Sequence, residues 1–185
     1  MTDRRTFVTA LAAATLAAPA VMAENVFRLP REWLPTDVAV NSGLPTGVVH
    51  VHVATNWLFL TLADGVARRY KTASGEAGRN FHGRARVGRK AEWPSWTPTA
   101  SMIAIEPEIY GPVAGGLPGG DDRNPLGARA LYLYQGSRDT LYRIHGTPQP
   151  WTIGQSFSSG CIRLINDHAI DLYDRVPVGS EVVVV

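Results

Sequence analysis

The chain has 185 residues, 45% of them hydrophobic and 18% charged, with a formal net charge of +2. Those proportions suit one globular domain with an ordinary core, and a balance so near neutrality argues against nucleic acid as the main partner. Cys161 is the only cysteine, which rules out an intramolecular disulfide, and 18 glycines with 13 prolines point to short strands joined by many turns.

Residues 1–23 form a segment of their own. Arg4 and Arg5 precede an alanine-rich apolar run that ends in Val21-Met22-Ala23, a small-residue cleavage context. This reads as an export signal of twin-arginine type, which directs the protein to the periplasm or cell envelope. The run is too short for a stable membrane span, the alternative being a retained N-terminal anchor, and no other segment is apolar enough to cross a bilayer. Residues 24–46 carry Pro30, Pro35 and Pro45 with little periodicity and read as an extended lead-in arm. Its Phe27, Leu29, Trp33 and Leu34 are expected to pack on the domain formed by residues 47–185.

Strands begin at Gly47. Val48–Val53, Trp57–Leu62 and Val66–Tyr70 alternate with short turns between them and predict an antiparallel meander. His50 and His52 share one face of the first strand, read as its polar face rather than as a metal site, and no metal or cofactor is called for. Residues 74–99 read as irregular, basic and aromatic, with Trp93 and Trp96 forming either a wall against a ligand or part of the core. Ser101–Ile105 reads as a short strand. Residues 107–127, with six glycines and four prolines, read as a flap over a site. Ala130–Tyr134 and Thr140–His145 predict a hairpin. Asn166 reads as the N-cap of a helix that buries Ile170, Tyr173 and Val176 and stops at Pro177, with His168 exposed on it. Val182–Val185 then closes the fold. The class predicted is mainly β, a sandwich or mixed-sheet cradle with one short C-terminal helix.

The stretch from His145 to Leu164 carries the chemistry. A free thiol is only a few per cent ionised at neutral pH, so a nucleophilic Cys161 needs a base close by, and His145, at the end of the strand Leu141–Ile144, can supply it. Gly160 permits a sharp turn before Cys161 that would aim the backbone N–H groups of Gly160 and Cys161 at one point, an oxyanion hole. The competing reading is that a lone buried cysteine and histidine simply pack.

His145-Gly146-Thr147, a loop, and then Ser158-Ser159-Gly160-Cys161-Ile162-Arg163-Leu164 resemble the signature of the YkuD-like L,D-transpeptidase catalytic domain, which remodels bacterial peptidoglycan. The resemblance extends through Trp93–Pro98 and Asn124–Leu133 and covers residues 46–185. It implies a cysteine acyl transfer. Cys161 attacks the carbonyl between a diamino acid and the terminal D-alanine of a stem tetrapeptide, His145 moves the proton, and the Gly146 carbonyl orients the imidazole. An amine acceptor then resolves the thioester, giving either a cell-wall crosslink or a tethered protein. Resolution by water, as in an L,D-carboxypeptidase or endopeptidase, is the enzymatic alternative, and an inactive wall-binding module is the alternative from another class. Ser159, Thr147, Arg163, Trp93 and Trp96 are the candidate substrate-binding residues. Many members have histidine and asparagine where this chain has Ser159 and Arg163, so those members' roles do not transfer. Arg163 either binds a stem carboxylate or pairs with Asp167 or Asp171.

Overall fold

Strict alternation builds the strands nearest the core. In the computed structural model, which describes residues 27–76, 78–158 and 160–185, Val49 and Val51 are fully buried while His50 and His52 point the other way. The segment read as an export signal and Ser159 lie outside the described residues. In chain order the strands are β1 (Thr36–Ala39), β2 (Val49–His52), β3 (Trp57–Ala63), β4 (Val66–Lys71), β5 (Ser74–Gly75), β6 (Gly83–Glu92), β7 (Arg129–Gln135), β8 (Arg138–His145), β9 (Ser156–Ser158), β10 (Ile162–Arg163) and β11 (Glu181–Val184). The helices are α1 (Ala100–Ile105), α2 (Pro107–Tyr110) and α3 (Asn166–Arg175).

Nine strands form one mixed sheet in the order β1-β4-β3-β2-β11-β6-β7-β8-β10, and β5 pairs with β9 beside it. The predicted meander is β2-β3-β4, and the C-terminal strand β11 runs through the middle, parallel to β2 and antiparallel to β6. Thr36–Ala39, within the lead-in arm, pairs antiparallel with β4 at the sheet edge. Tyr70 of β4 and Ile162 of β10, far apart in strand order, belong to one hydrophobic cluster, so the sheet curls round its core. Just beyond β4, Ala73 exchanges two backbone hydrogen bonds with Arg163, of 2.8 and 2.9 Å, and draws the two ends together. Helix α3 buries Ala169 and Leu172 in the same core. Asp171 on it accepts bonds from Tyr70 Oη (2.7 Å) and Arg68 Nε (2.8 Å), while Lys90 of β6 donates to the Tyr173 carbonyl.

Several expectations give way here. The basic stretch read as irregular contains β6, a ten-residue strand. Its Ala85 and Val87 are buried between exposed Arg84, Arg86 and Arg89, and Gly88 leaves the space that the Tyr134 ring fills. Ser101–Ile105 lies in helix α1 rather than a strand, because Thr99 Oγ1 caps it by accepting from Met102 N at 3.2 Å. Pro107 then opens α2, so the flap region carries a second short helix. At α3 the cap position is Ile165, not Asn166. His168 is buried, only 5% exposed, against Tyr70.

Candidate active site

Strand β8 delivers His145 and β10 follows directly from Cys161. The two strands pair in parallel with Ile162 beside Ile144 and Arg163 beside His145. Because side chains alternate along a strand, Ile144 and Ile162 enter the core together, and Arg143, His145, Cys161 and Arg163 share the opposite face. The backbone N–H of Arg143 bonds the Cys161 sulfur. The excursion of residues 146–160 thus returns the thiol to the strand that holds the histidine.

His145 is buried, and its Nδ1 lies 2.6 Å from the carbonyl oxygen of Gly146. A carbonyl only accepts, so Nδ1 carries the proton and Nε2 keeps its lone pair. The Gly146 turn is held from outside: Asn166 Oδ1 accepts from Ala128 N at 2.9 Å and packs so closely on Gly127 and Gly146 that neither position has room for a Cβ. Burial, and then the nearby Arg163 cation, push the imidazole down to about 3. Burial pushes the Cys161 thiol up, against the opposing pull of the Arg143 N–H and the Arg143 and Arg163 guanidiniums. The resting pair is therefore a thiol beside a neutral imidazole.

Above this pair lies a cleft of about 810 Å³. Trp96, Met102 and Tyr110 line one side, and the Trp96 and Tyr110 rings meet at 6.1 Å. Tyr132, Tyr142, Arg143 and Arg163 line the sheet side. Arg143 is fixed by Asp139 through bonds of 2.7 and 2.9 Å, and its guanidinium lies over the Tyr132 ring at 4.3 Å. A register shift between Tyr132 and Tyr134, with Leu141 at φ 65°, bends β8 where it borders the cleft.

Of the residues singled out from sequence, Cys161, His145, Arg163 and Trp96 line this cleft, and the Gly146 carbonyl meets the imidazole. Gly160, at φ 120°, packs against the Arg79 carbonyl and the Tyr142 ring, where no side chain fits. Two candidates do not line it: Trp93 is 53% exposed and away from the lining, and Thr147 is buried and uses its hydroxyl to accept from Gln149 N at 3.1 Å. Arg163 pairs with neither Asp167 nor Asp171, the latter being taken by Arg68 and Arg175. Arg143, Tyr132 and Asn166 were missed. Counting back two from His145 would have found Arg143, whereas nothing local marks Asn166.

Fold and site together define a mainly β domain with a cysteine–histidine pair at the floor of a cationic cleft. The chain belongs to the YkuD family of L,D-transpeptidase catalytic domains, whose pattern matches residues 46–184. It is 34% identical over 155 residues to the probable L,D-transpeptidase ErfK/SrfK of Escherichia coli K12, covering 82% of this chain and 48% of that protein. To the probable L,D-transpeptidase YbiS of the same organism it is 42% identical over 97 residues, 52% of this chain and 30% of the relative. The chain thus spans less than half the length of these two curated relatives. A Brucella melitensis structure described as a probable carnitine operon oxidoreductase is 46% identical, with a TM-score of 0.58 over 85% of this chain and 96% of that one. The L,D-transpeptidase of Mycobacterium smegmatis shares the fold at 19% identity, with a TM-score of 0.55 over 75% of this chain and 58% of that one.

Proposed function

We propose that this protein is an exported peptidoglycan L,D-transpeptidase that works by cysteine acyl transfer on stem tetrapeptides. The observation that carries the reading is the β8–β10 register, which sets a thiol and a tautomer-fixed imidazole on one face beneath the cleft. With a thiol and a neutral imidazole at rest, proton transfer accompanies attack instead of preceding it. Cys161 Sγ bonds to the carbonyl carbon between the diamino acid and D-alanine as its proton passes to His145 Nε2. The Gly160 and Cys161 N–H groups receive the oxyanion, in a setting where burial strengthens each dipole. The C–N bond then breaks, the imidazolium protonates the departing amine, and D-alanine leaves a thioester on Cys161. An acceptor amine attacks that thioester, gives its proton to His145 and restores the thiol. The Gly146 carbonyl holds the imidazole throughout, in the place of a triad carboxylate.

Residues 1–23, as an export signal, would bring the enzyme to the compartment that holds this substrate, and a wall-anchored protein amine could serve as acceptor in place of a second stem. Among the described residues no helix is long and apolar enough to cross a membrane. Mass spectrometry of products from a purified disaccharide-tetrapeptide tests the reading. Release of D-alanine with dimers joined through the two diamino acids is the expected result. Shortened tripeptides alone would make the enzyme a hydrolase, and an unchanged substrate would overturn the proposal.

A further inference from the structure

The cleft is lined by Arg79, Arg89, Arg143 and Arg163, and among the described residues no aspartate or glutamate lines it. Two of these cations are already neutralised, Arg143 by Asp139 at 2.7 Å and Arg79 by Glu76 at 3.4 Å. Among the described residues neither Arg89 nor Arg163 has a carboxylate partner. Both are held by a ring. The Arg163 guanidinium lies over Phe157 at 4.7 Å, with Nε buried and unbonded, and that of Arg89 lies over Tyr132 at 3.4 Å. A guanidinium held by an aromatic ring keeps its planar N–H fork available for a carboxylate. Leaving the buried Arg163 Nε–H unpaired is costly, so the cleft is poised for an anionic occupant.

The two cations sit at different distances from the nucleophile. Arg163 is in register with His145 and two residues past Cys161. Arg89, Tyr132 and Arg143 form one row across β6, β7 and β8, and Cys161 continues it. Three strand spacings put the Arg89 backbone about 14 Å from that of Cys161, roughly two to four residues along an extended peptide once the side chain leans inward.

We propose that Arg163 and Arg89 form a two-cation receptor, Arg163 taking the carboxylate nearest the attacked carbonyl and Arg89 a second, distal carboxylate. The enzyme then selects donor peptides that keep both acidic groups over donors whose distal group is amidated. This rests on the donor class named above.

Two synthetic disaccharide-tetrapeptides test it, identical except that the distal carboxylate is free in one and a carboxamide in the other. The wild-type enzyme should favour the free acid by about tenfold in kcat/KM, the scale of a lost charge-assisted contact. Arg89→Gln should bring that ratio close to one and Arg89→Lys should keep part of it, whereas simple loss of fold would lower both rates and leave the ratio alone. Equal rates on both donors in the wild type, or a ratio that survives Arg89→Gln, overturns the receptor while leaving acyl transfer intact. If neither donor turns over while iodoacetamide still alkylates Cys161, the donor class itself is wrong and the receptor falls with it.

Discussion

Among the described residues, two cavities of similar size each have a strand-borne histidine, and only one of the two sets a thiol on the same face. The cleft over Cys161 holds about 810 Å³, and the cavity on the outer face of β2 and β3 about 690 Å³. The second is lined by His50, His52, Trp57 and Phe59, with Val40 and Leu44 from the arm. Burial lowers the pKa of His50 as it does that of His145, and the neighbouring His52 adds to the effect. The difference lies in what meets the ring. His145 Nδ1 is bonded to the next residue's carbonyl and a parallel strand brings a thiol to the same face, whereas His50 Nε2 is buried with no partner among the described residues. Among the described residues no cluster of three or more His, Cys, Asp or Glu side chains could hold a metal at either place. Similar volume and a strand-borne histidine are common to both; a fixed tautomer on the same face as a thiol is what sets the proposed site apart.

The comparison can be broken most severely at His145. His145→Gln keeps a polar side chain but removes the base, and turnover should fall by about 10²- to 10⁴-fold. The rate of Cys161 alkylation by iodoacetamide should also shift its pH profile, as one titration of the coupled pair. An unmoved profile with unimpaired turnover would reduce His145 to packing.

A smaller effect concerns acid stability. His145 and His168 have folded-state values of about 3 and about 4 against 6.5 for a free histidine, both because burial disfavours the charged ring. Between those values and 6.5 the unfolded chain binds protons that the folded chain refuses. Stability is therefore fully present above pH 6.5 and is lost as pH falls towards 4 and then 3. His168 alone accounts for a loss on the order of 3 kcal/mol, at 1.36 kcal/mol per unit. Urea titrations at pH 7 and pH 4.5 should show this slope and show it flatten in His168→Leu. An equal slope in that variant would remove His168 as a source.

The smallest effect belongs to the other cavity. His50→Gln and His52→Gln should each leave product formation within about twofold of wild type, as for substitutions away from the reacting groups. A tenfold loss in either would show that the two cavities cooperate.

How much of this could be read in advance varied with the kind of residue. The meander, the hairpin that ends at His145 and the central closing strand follow from alternating Val, Leu and Ile, which leave little choice of face. Strand β6 was hidden because Gly83, Arg84, Arg86, Gly88 and Arg89 are poor strand formers alone, and only pairing with β7 and β11 fixes them. Ser101–Ile105 carries apolar residues that fit either element, and the Thr99 cap decided for helix. Asn166 looked like a cap, but its carbonyl oxygen is used by Ala128, a contact between residues 38 apart that no local pattern reveals. Cys161 and His145, the proposed nucleophile and base, stood out in the sequence because each is flanked by a glycine with a distinct geometric task. Arg163 stood out beside them, but Arg89 and Arg143 did not, because a cation lining a cleft and one facing solvent look alike until strand register assigns them a side.

The central claim is that Cys161 carries the acyl group, and the most direct measurement is the intact mass of the protein mixed with a tetrapeptide donor in the absence of any acceptor amine. The account predicts an adduct equal to the donor less D-alanine, placed on Cys161 by peptide mapping and absent from Cys161→Ala, which shortens the side chain by one atom and should keep the fold. An adduct elsewhere, or D-alanine release that persists in Cys161→Ala, would contradict it.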